Sequence, residues 1–289
     1  MLITGDAAEK LKDIQDNSID LVVTSPPYDN LRTYNGYSFV FEKIAVELVR
    51  VIKTGGIIVW IVGDASVNGS ETGTSFRQAL FFKELGLRLH DTMIYKKSDS
   101  QPFSHNRYEQ SFEYMFVLSK GRPKTFNGIK DKANKWAGSK MHGTVRDIHG
   151  KSAPIHGHNK KLVGEFGLRH NVWEVVPVKS FKSEHPAIFP LKLAKDHVIS
   201  WSNEGDTVLD PLMGSGSTGV AALELNRKFI GIEISPEYVE IAKKRMNHER
   251  HNCTSPDCNT STRGQFDIGR HGRDFCQHAG FGNPKTKET

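Results

Sequence analysis

The chain has 289 residues, 37% of them hydrophobic and 25% charged, which fits a globular protein with one large α/β domain or two small ones. It contains no apolar run of 18 residues, and its start, Met1 to Asp6, lacks a basic and apolar leader. We therefore expect no membrane span and a cytoplasmic protein.

The positive charge is concentrated in one part of the chain. The net charge is +6, yet residues 96–170 contain fifteen Lys or Arg and only six Asp or Glu. Such an excess is expected of a surface that contacts phosphates, although a solvated basic loop has the same composition. Charge alone therefore leaves a nucleic-acid partner and a plain solvated surface as alternatives.

The first 120 residues alternate between strand and helix patterns. Strands are predicted at 19–23, 57–62, 89–96 and 112–119, and helices at 39–52 and 74–85. We expect Gly55-Gly56 to end the first of these helices. The alternation predicts a mostly parallel sheet that is covered by helices.

Residues 121–170 have a different character. They are rich in Lys, Gly, His, Asn and Ser, carry isolated aromatics such as Phe126 and Trp136, and show no clear period. A structureless loop of this length is unusual inside a compact domain. We interpret the stretch as an inserted recognition region that orders in part on binding.

The α/β pattern resumes near residue 186. It predicts helices at 190–201 and 236–246, a third helix that ends at Leu225, and strands at 206–209 and 228–234. Residues 247–289 are polar, rich in Gly and His and poor in Ile, Leu and Val. We predict a flexible tail there.

All three cysteines of the sequence lie in this tail. An odd, clustered set does not form a disulfide framework. Cys253, Cys258, Cys276 and His278 offer zinc ligation as an alternative, but the single residue between the last two suits a structural zinc site poorly. We predict free thiols and no metal.

A glycine-rich turn between a strand and a helix has the form of a nucleoside-binding site. The turn runs from Asp210 to Thr218, and its Gly214 and Gly216 allow the backbone to approach a ligand without a Cβ atom. Glu233 ends the next strand, where an acidic side chain accepts hydrogen bonds from a ribose diol. The third glycine of the dinucleotide fingerprint is absent, which argues against NAD.

A second motif, Thr24-Ser25-Pro26-Pro27-Tyr28, follows the strand at 19–23. Two prolines stiffen the loop and remove two N–H donors, so carbonyl groups and the Ser25 hydroxyl make it rich in acceptors. Such a loop suits an exocyclic NH₂ group that is held by both hydrogens while Tyr28 stacks on the ring. Taken alone, the motif is also typical of an ordinary strand-ending proline turn.

Together the two motifs resemble those of the DNA amino-methyltransferases, which methylate N4 of cytosine or N6 of adenine with S-adenosylmethionine. The catalytic motif precedes the cofactor motif, and this order is that of the family's circularly permuted β group. In this respect the chain resembles type II modification methylases. Leu2 to Asp6 resembles the family's strand beside the cofactor adenine, and His185 to Pro190 the segment before its methionine-binding helix. Where the family usually has Phe and Thr, this chain has Leu212 and Ser217, which keep the apolar and hydroxyl character.

The resemblance implies a Rossmann-like methyltransferase sheet with helices on both faces, double-stranded DNA as partner and S-adenosylmethionine as cofactor. It divides the chain into a catalytic half (1–120), a target-recognition insertion (121–170), a cofactor half (171–246) and the tail. A homodimer is also implied, and a cognate restriction endonuclease is not required.

The resemblance also assigns the site. The catalytic residues are Ser25, Pro26, Pro27 and Tyr28, and the cofactor-binding residues are Asp6, Thr24, Phe189, Asp210, Pro211, Gly214, Gly216, Ser217, Thr218 and Glu233. Asp6 and Glu9 also read as a helix capping box, so Asp6 caps a helix, contacts the cofactor, or does both.

The predicted reaction is direct methyl transfer to a base flipped out of the duplex. Hydrogen bonds from the amine to the Ser25 hydroxyl and the Pro26 carbonyl would free the nitrogen lone pair. Carbon-5 methylation needs a cysteine, and none precedes Cys253. Serine at position 25 resembles the N4-cytosine members, whereas Asp there is typical of N6-adenine members, so cytosine is the first prediction.

Three alternatives stay open from the sequence. The first is an N6-adenine DNA methyltransferase. The others are an RNA or protein amide methyltransferase and a non-catalytic nucleic-acid-binding module.

Overall fold

The computed structural model describes residues 1–27, 39–98, 108–141, 143–155, 161–176 and 189–252, the last five of them as helix backbone only. Tyr28, the segment from His185 to Ile188 and the three cysteines lie outside the described residues.

Within these residues the centre of the fold is an eight-stranded sheet. Its strands lie side by side in the order β1 (Leu2–Thr4), β14 (Lys228–Glu233), β13 (Thr207–Asp210), β2 (Ile19–Thr24), β3 (Ile52–Val62), β7 (Phe112–Ser119), β6 (Arg88–Lys97) and β12 (Val172–Val175). Neighbouring strands are parallel except on the two sides of β7, which is antiparallel to both β3 and β6. The α/β class and the mostly parallel sheet are confirmed.

Helices cover both faces of the sheet. One face carries α1 (Ala7–Lys10), the 3₁₀ turn Leu11–Asp13, α2 (Phe41–Val51) and α3 (Thr74–Glu84), and the other carries α4 (Leu191–Trp201), α5 (Ser217–Glu224) and α6 (Pro236–Asn252). Along β2, Leu21 and Val23 face the second group while Val22 faces the first. Because the central strands are buried on both faces, they read in sequence as continuous apolar runs.

Two predicted boundaries were wrong. Helix α2 ends at Val51, and Gly55-Gly56 lies inside β3 rather than at the end of the helix. A Cβ on Gly56 would stand 2.9 Å from the Asp20 carbonyl oxygen, so this glycine permits the close approach of β2 and β3. Helix α6 continues six residues past Met246, through the first part of the stretch predicted as a flexible tail.

The described residues of 121–170 form regular strands, although the sequence shows no clear period there. They form β8 (Lys130–Ala133), β9 (Thr144–Arg146), β10 (Ser152–Pro154) and β11 (Phe166–Leu168), with β8 antiparallel to β11 and β9 to β10. Nearly all these strand residues are exposed, so they show no alternation of apolar and polar side chains. We call residues 129–169 the arm.

The arm begins at the edge of the sheet where the parallel strands begin, which we call the amino edge. Strand β7 ends at Ser119, opposite Ile57, and Lys120 then bonds to Gly55 and Gly56, toward the start of β3. The returning chain joins β12 beside β6. At the base of the arm, the backbone N–H of Arg169 donates to the Ile129 carbonyl at 2.9 Å. The outgoing and the returning segments of the arm therefore meet the body at one place.

Arg169 also fixes the base of the arm to the body. Its Nε donates to Asp131 at 2.8 Å and its Nη1 to Asp196 of α4 at 2.6 Å. The guanidinium lies 5.1 Å from the ring centroid of Trp173, within the range of a cation–π contact. One side chain thus joins β8, α4 and β12.

The short hairpin of β4 (Ser66–Val67) and β5 (Ser70–Glu71) follows β3.

In the part of the chain that the structure describes, no helix has the length and apolarity to cross a membrane. Nor do those residues bring together three His, Cys, Asp or Glu side chains that could hold a metal ion.

Candidate active site

The predicted site residues meet at the opposite edge of the sheet, the carboxyl edge, where β1, β14, β13 and β2 end next to one another. Thr4 lies beside Glu233, and Asp210 lies beside Gly231. Since parallel strands end on the same side, the motifs at 24–28 and 210–218 come together although 186 residues separate Thr24 from Asp210. This edge is the usual ligand position in open α/β sheets.

A buried hydrogen bond joins the two motifs directly. The Thr24 hydroxyl donates to Asp210 Oδ1 at 2.7 Å, and the backbone N–H of Leu212 donates to the same oxygen at 3.1 Å. Burial raises the pKa of Asp210 to about 6, against the opposing effect of hydrogen bonds from Thr24 and Thr218. Asp210 therefore ties the turn to the end of β2.

Backbone N–H groups hold the carboxylate of Glu233 at the end of β14. Its Oε2 accepts from the N–H of Gly214 at 3.0 Å and its Oε1 from the N–H of Ser235 at 2.9 Å. Burial raises the pKa of this carboxyl above its ordinary value. An acidic side chain at the end of this strand fits the ribose hydroxyls of a nucleoside cofactor.

Gly216 is required by packing as well as by backbone conformation. Its φ is +82°, and a Cβ there would stand 2.8 Å from Met246 Cε and 2.9 Å from Ala242 Cβ, both on α6. Its N–H donates within the turn, to the Met213 carbonyl at 2.8 Å. From the sequence, we expected glycine at both positions because the backbone approaches a ligand there. This explanation suits Gly214, which is half-buried with a φ of +49°, better than it suits Gly216.

The proline loop begins where β2 ends. Thr24 and Pro26 are buried, whereas Ser25 and Pro27 are partly exposed at the carboxyl edge. The aromatic residue that completes the motif, Tyr28, lies outside the described residues. The described part thus presents carbonyl and hydroxyl oxygens beside the turn, as an amine-binding loop needs.

Comparison with known proteins identifies the family. The family model for N6- and N4-directed DNA methylases matches residues 19–244. An orphan methyltransferase of Bacillus amyloliquefaciens, M.BamHII, is 55% identical over 246 residues, or 82% of this chain and 92% of the relative. This chain belongs to the N4-cytosine/N6-adenine DNA methyltransferases.

Two further relatives support this assignment. The DNA adenine methyltransferase YhdJ of Escherichia coli is 30% identical, covering 86% of this chain and 83% of the relative. The structure of TTHA0409 from Thermus thermophilus in complex with S-adenosyl-L-methionine matches with a TM-score of 0.58 at 25% identity, over 86% of this chain and 95% of that one. The methyltransferase uses S-adenosylmethionine, acts on DNA and has the fold that the motif order implied.

The remaining predicted residues of the methyltransferase lie around the same edge. Asp6 is exposed and caps α1, accepting the Glu9 N–H at 3.2 Å, which confirms the capping expectation. Phe189 is partly buried against the core beside α4. Pro211, Ser217 and Thr218 are buried in the turn and the first turn of α5. Their contacts with a cofactor stay a prediction.

Sequence reasoning missed Arg245 of α6. Its Nη1 donates to the Ser215 carbonyl at 2.6 Å and to the Ser215 hydroxyl at 2.7 Å, and its Nη2 lies 3.3 Å from Ser217 Oγ. The side chain thereby links α6 to the turn. No sequence pattern indicates this role. Arg245 is 30 residues from Ser215, and in the sequence it does not differ from any other basic residue of a polar helix.

Proposed function

We propose that this methyltransferase modifies N4 of cytosine within a specific site of double-stranded DNA in the cytoplasm. The observation that carries the proposal is the 2.7 Å hydrogen bond between Thr24 and Asp210, which holds the acceptor-rich loop beside the cofactor turn. Serine at position 25 favours cytosine, by the family resemblance described above.

The loop residues would activate the amine by position alone. In this proposal the Ser25 hydroxyl oxygen and the Pro26 carbonyl accept the two hydrogens of the exocyclic amine, and Tyr28 stacks on the flipped base. The lone pair of the nitrogen, otherwise delocalised into the ring, then points at the methyl donor. The nitrogen takes the methyl group as the carbon–sulfur bond of the sulfonium breaks, and the resulting cation releases one proton to water. Neither a cysteine nor a strong base is therefore needed.

The cofactor half would hold S-adenosylmethionine, which supplies a methyl group already activated on a sulfonium. Glu233, held in place by the backbone of Gly214 and Ser235, would accept from the ribose hydroxyls. Asp6 would face the adenine from the end of β1. Phe189 and the turn residues Pro211, Gly214, Ser217 and Thr218 would line the remaining wall, and Asp210 and Gly216 would keep the turn in place.

The regions of the chain take the matching roles. Residues 1–120 would form the catalytic half, 121–170 the target-recognition insertion and 171–246 the cofactor half, with a polar tail after them. The 55% identical relative is named an orphan methyltransferase, so we propose that this chain also acts without a cognate endonuclease. A homodimer rests on the family resemblance, and light scattering of the purified protein tests it.

N6 of adenine is the second candidate, and one observation favours it. The E. coli relative at 30% identity is named a DNA adenine methyltransferase. The two candidates share the site geometry, because either base presents an exocyclic amine.

One experiment separates the candidates. Plasmid from a host without methylases is incubated with the protein and labelled S-adenosylmethionine, and the DNA is then digested to nucleosides. We expect label in N4-methylcytosine, and label in N6-methyladenine alone would establish the second candidate instead. Ser25→Ala provides the matched control, which should bind the cofactor normally and methylate about 10- to 100-fold more slowly, since one activating hydrogen bond is lost.

A further inference from the structure

The outer end of the arm is a hairpin whose tip has a fixed shape. Asp147 Oδ1 accepts the N–H groups of His149 at 2.9 Å and Lys151 at 2.8 Å, and the Gly150 N–H donates to the Asp147 carbonyl at 3.0 Å. Gly150 supplies the required positive φ, +79°. These bonds close the five-residue connection between β9 and β10 and hold Ile148 at its end with 95% of its surface exposed.

Within the residues that the structure describes, no layer covers the hairpin. All six residues of β9 and β10 are exposed, including Val145 at 56%. An isolated two-stranded hairpin is only marginally stable in water, and exposed apolar side chains at its tip add no stability. A fixed tip on an uncovered hairpin therefore indicates a partner that binds both strands.

Charge and dimensions identify duplex DNA as that partner. Residues 130–155 carry six Lys or Arg and two Asp, so the arm is basic along its described length. A two-stranded ribbon fits the major groove of B-DNA, which is about 12 Å wide.

The register selects one residue of the hairpin for base contacts. Arg146 pairs with Ser152, and Val145 pairs with Ala153, so Arg146 and Val145 point to opposite faces. Arg146 Nε lies 3.4 Å from the Ser152 hydroxyl, across the paired strands on the same face. The terminal guanidinium nitrogens then extend from an otherwise uncharged face, in the manner of an arginine that binds O6 and N7 of guanine.

We propose that the β9–β10 hairpin enters the major groove of the target DNA and that Arg146 determines specificity there by recognising a guanine. The proposal rests on the proposed function, in that the chain must methylate DNA at a specific site. Lys151, on the tip, contacts phosphate and so contributes affinity without sequence preference.

The test first maps the methylated sequence by sequencing DNA treated with the wild-type protein. Methylation rates are then measured on short duplexes that carry the mapped site or a substitution of one of its guanines. Arg146→Gln should lower kcat/KM on the mapped site about 10- to 100-fold and reduce discrimination at one guanine to a few-fold, with discrimination elsewhere retained. Arg146→Lys, which keeps the charge but not the paired donors, should lose the same discrimination.

Two variants of the same hairpin serve as controls. Val145→Thr, on the opposite face, should leave discrimination unchanged. Lys151→Gln should slow methylation of all duplexes alike and reduce the slope of affinity against salt by about one. Binding of S-adenosylmethionine, measured by calorimetry, should be the same in every variant.

Several outcomes would overturn the proposal while leaving the proposed function in place. They are a mapped site without guanine in either strand, an equal loss on all duplexes with Arg146→Gln, or full discrimination in both Arg146 variants. If the wild-type protein methylates no DNA, the proposed function itself fails. A hairpin that binds a protein partner instead would leave DNA discrimination untouched by Arg146.

Discussion

The hydrogen bond from Thr24 to Asp210 joins the two ends of the candidate site, and it illustrates what a sequence leaves out at the scale of single residues. Both residues could be assigned to the cofactor region from their motifs. Their contact could not, because it depends on β2 and β13 being neighbours in the sheet. The same holds for Arg245, whose role depends on how α6 crosses the turn.

The burial of Asp210 predicts a pH-dependent stability. Its pKa is raised to about 6 in the folded protein, above the ordinary 3.8, so folding takes up a proton between about pH 4 and 6, and the ionised carboxylate costs stability above that window. Asp210→Asn keeps an acceptor for Thr24 but carries no charge. We expect it to be more stable than the wild type by about 1 to 3 kcal/mol at pH 8, with the difference shrinking toward pH 4.

Urea unfolding at several pH values measures this difference. Asp13→Asn, at a carboxylate whose side chain is 71% exposed, is the control and should follow the wild type throughout. A difference for Asp210→Asn that stays constant from pH 8 to pH 4 would contradict the assignment of the cost to the buried charge.

Glu233 yields a prediction about cofactor affinity. Replacing the carboxylate with Gln removes two charge-assisted acceptor positions, so Glu233→Gln should weaken S-adenosylmethionine binding roughly tenfold or more. Isothermal titration calorimetry measures the change. Glu237→Gln, on the exposed side of α6 four residues later, should bind as the wild type does, and equal affinities of all three proteins would remove Glu233 from the cofactor site.

At the scale of elements, the contact between the glycine turn and α6 has a testable cost. Gly216→Ala would bring a Cβ to 2.8 Å from Met246 and adopt a φ of +82°. We expect a loss of about 2 to 4 kcal/mol in unfolding free energy and weaker cofactor binding, because α6 must move away from the turn.

Gly205→Ala is a matched control for this substitution. Its φ is +81°, but nothing lies within 4 Å of the added Cβ. It therefore isolates the backbone strain and should lose about 1 kcal/mol without any effect on the cofactor. Equal losses in the two variants would mean that the packing against α6 contributes nothing.

The elements also divide into those that sequence predicts and those that it does not. Strands β2 and β7 and helices α2 to α5 lie within a few residues of their predicted ranges, since buried faces leave apolar patterns. The strands of the arm escaped prediction because their ladder is held by backbone hydrogen bonds while side chains such as Val145 and Lys132 face solvent. The role of Gly55-Gly56 was predicted wrongly for another reason. In a sequence, a glycine that permits close packing of strands cannot be told from a glycine that ends a helix.

At the scale of the whole molecule, the candidate site and the arm begin at opposite edges of the sheet. The candidate catalytic and cofactor residues gather at the carboxyl edge, and the basic arm begins at the amino edge. Sequence reasoning could predict the sheet and both motifs, but the edge from which the arm emerges follows only from β7 running antiparallel to β3.

This separation predicts that the arm can be shortened without loss of the cofactor site. Replacing residues 134–165 with Asn-Gly joins Ala133 to Phe166, which already face each other in the β8–β11 pair. The shortened protein should bind S-adenosylmethionine within about twofold of the full chain and methylate DNA at least about 100-fold more slowly, since most of its phosphate contacts are gone.

Calorimetry and the plasmid methylation assay check the two halves of this prediction. Loss of cofactor binding together with a lower melting temperature would show that the arm supports the fold of the body. Methylation at the wild-type rate would show that recognition lies elsewhere in the chain.

The hydrogen bond between Arg169 and Ile129, at 2.9 Å, has a consequence for how such enzymes diversify. Because the chain leaves and rejoins the body at one point, a different segment can be spliced there without a change in the sheet, the proline loop or the glycine turn. With the arm in its proposed role in target recognition, two relatives that share a body would exchange sequence preference in a single recombination event, and a new target site need not be acquired one substitution at a time.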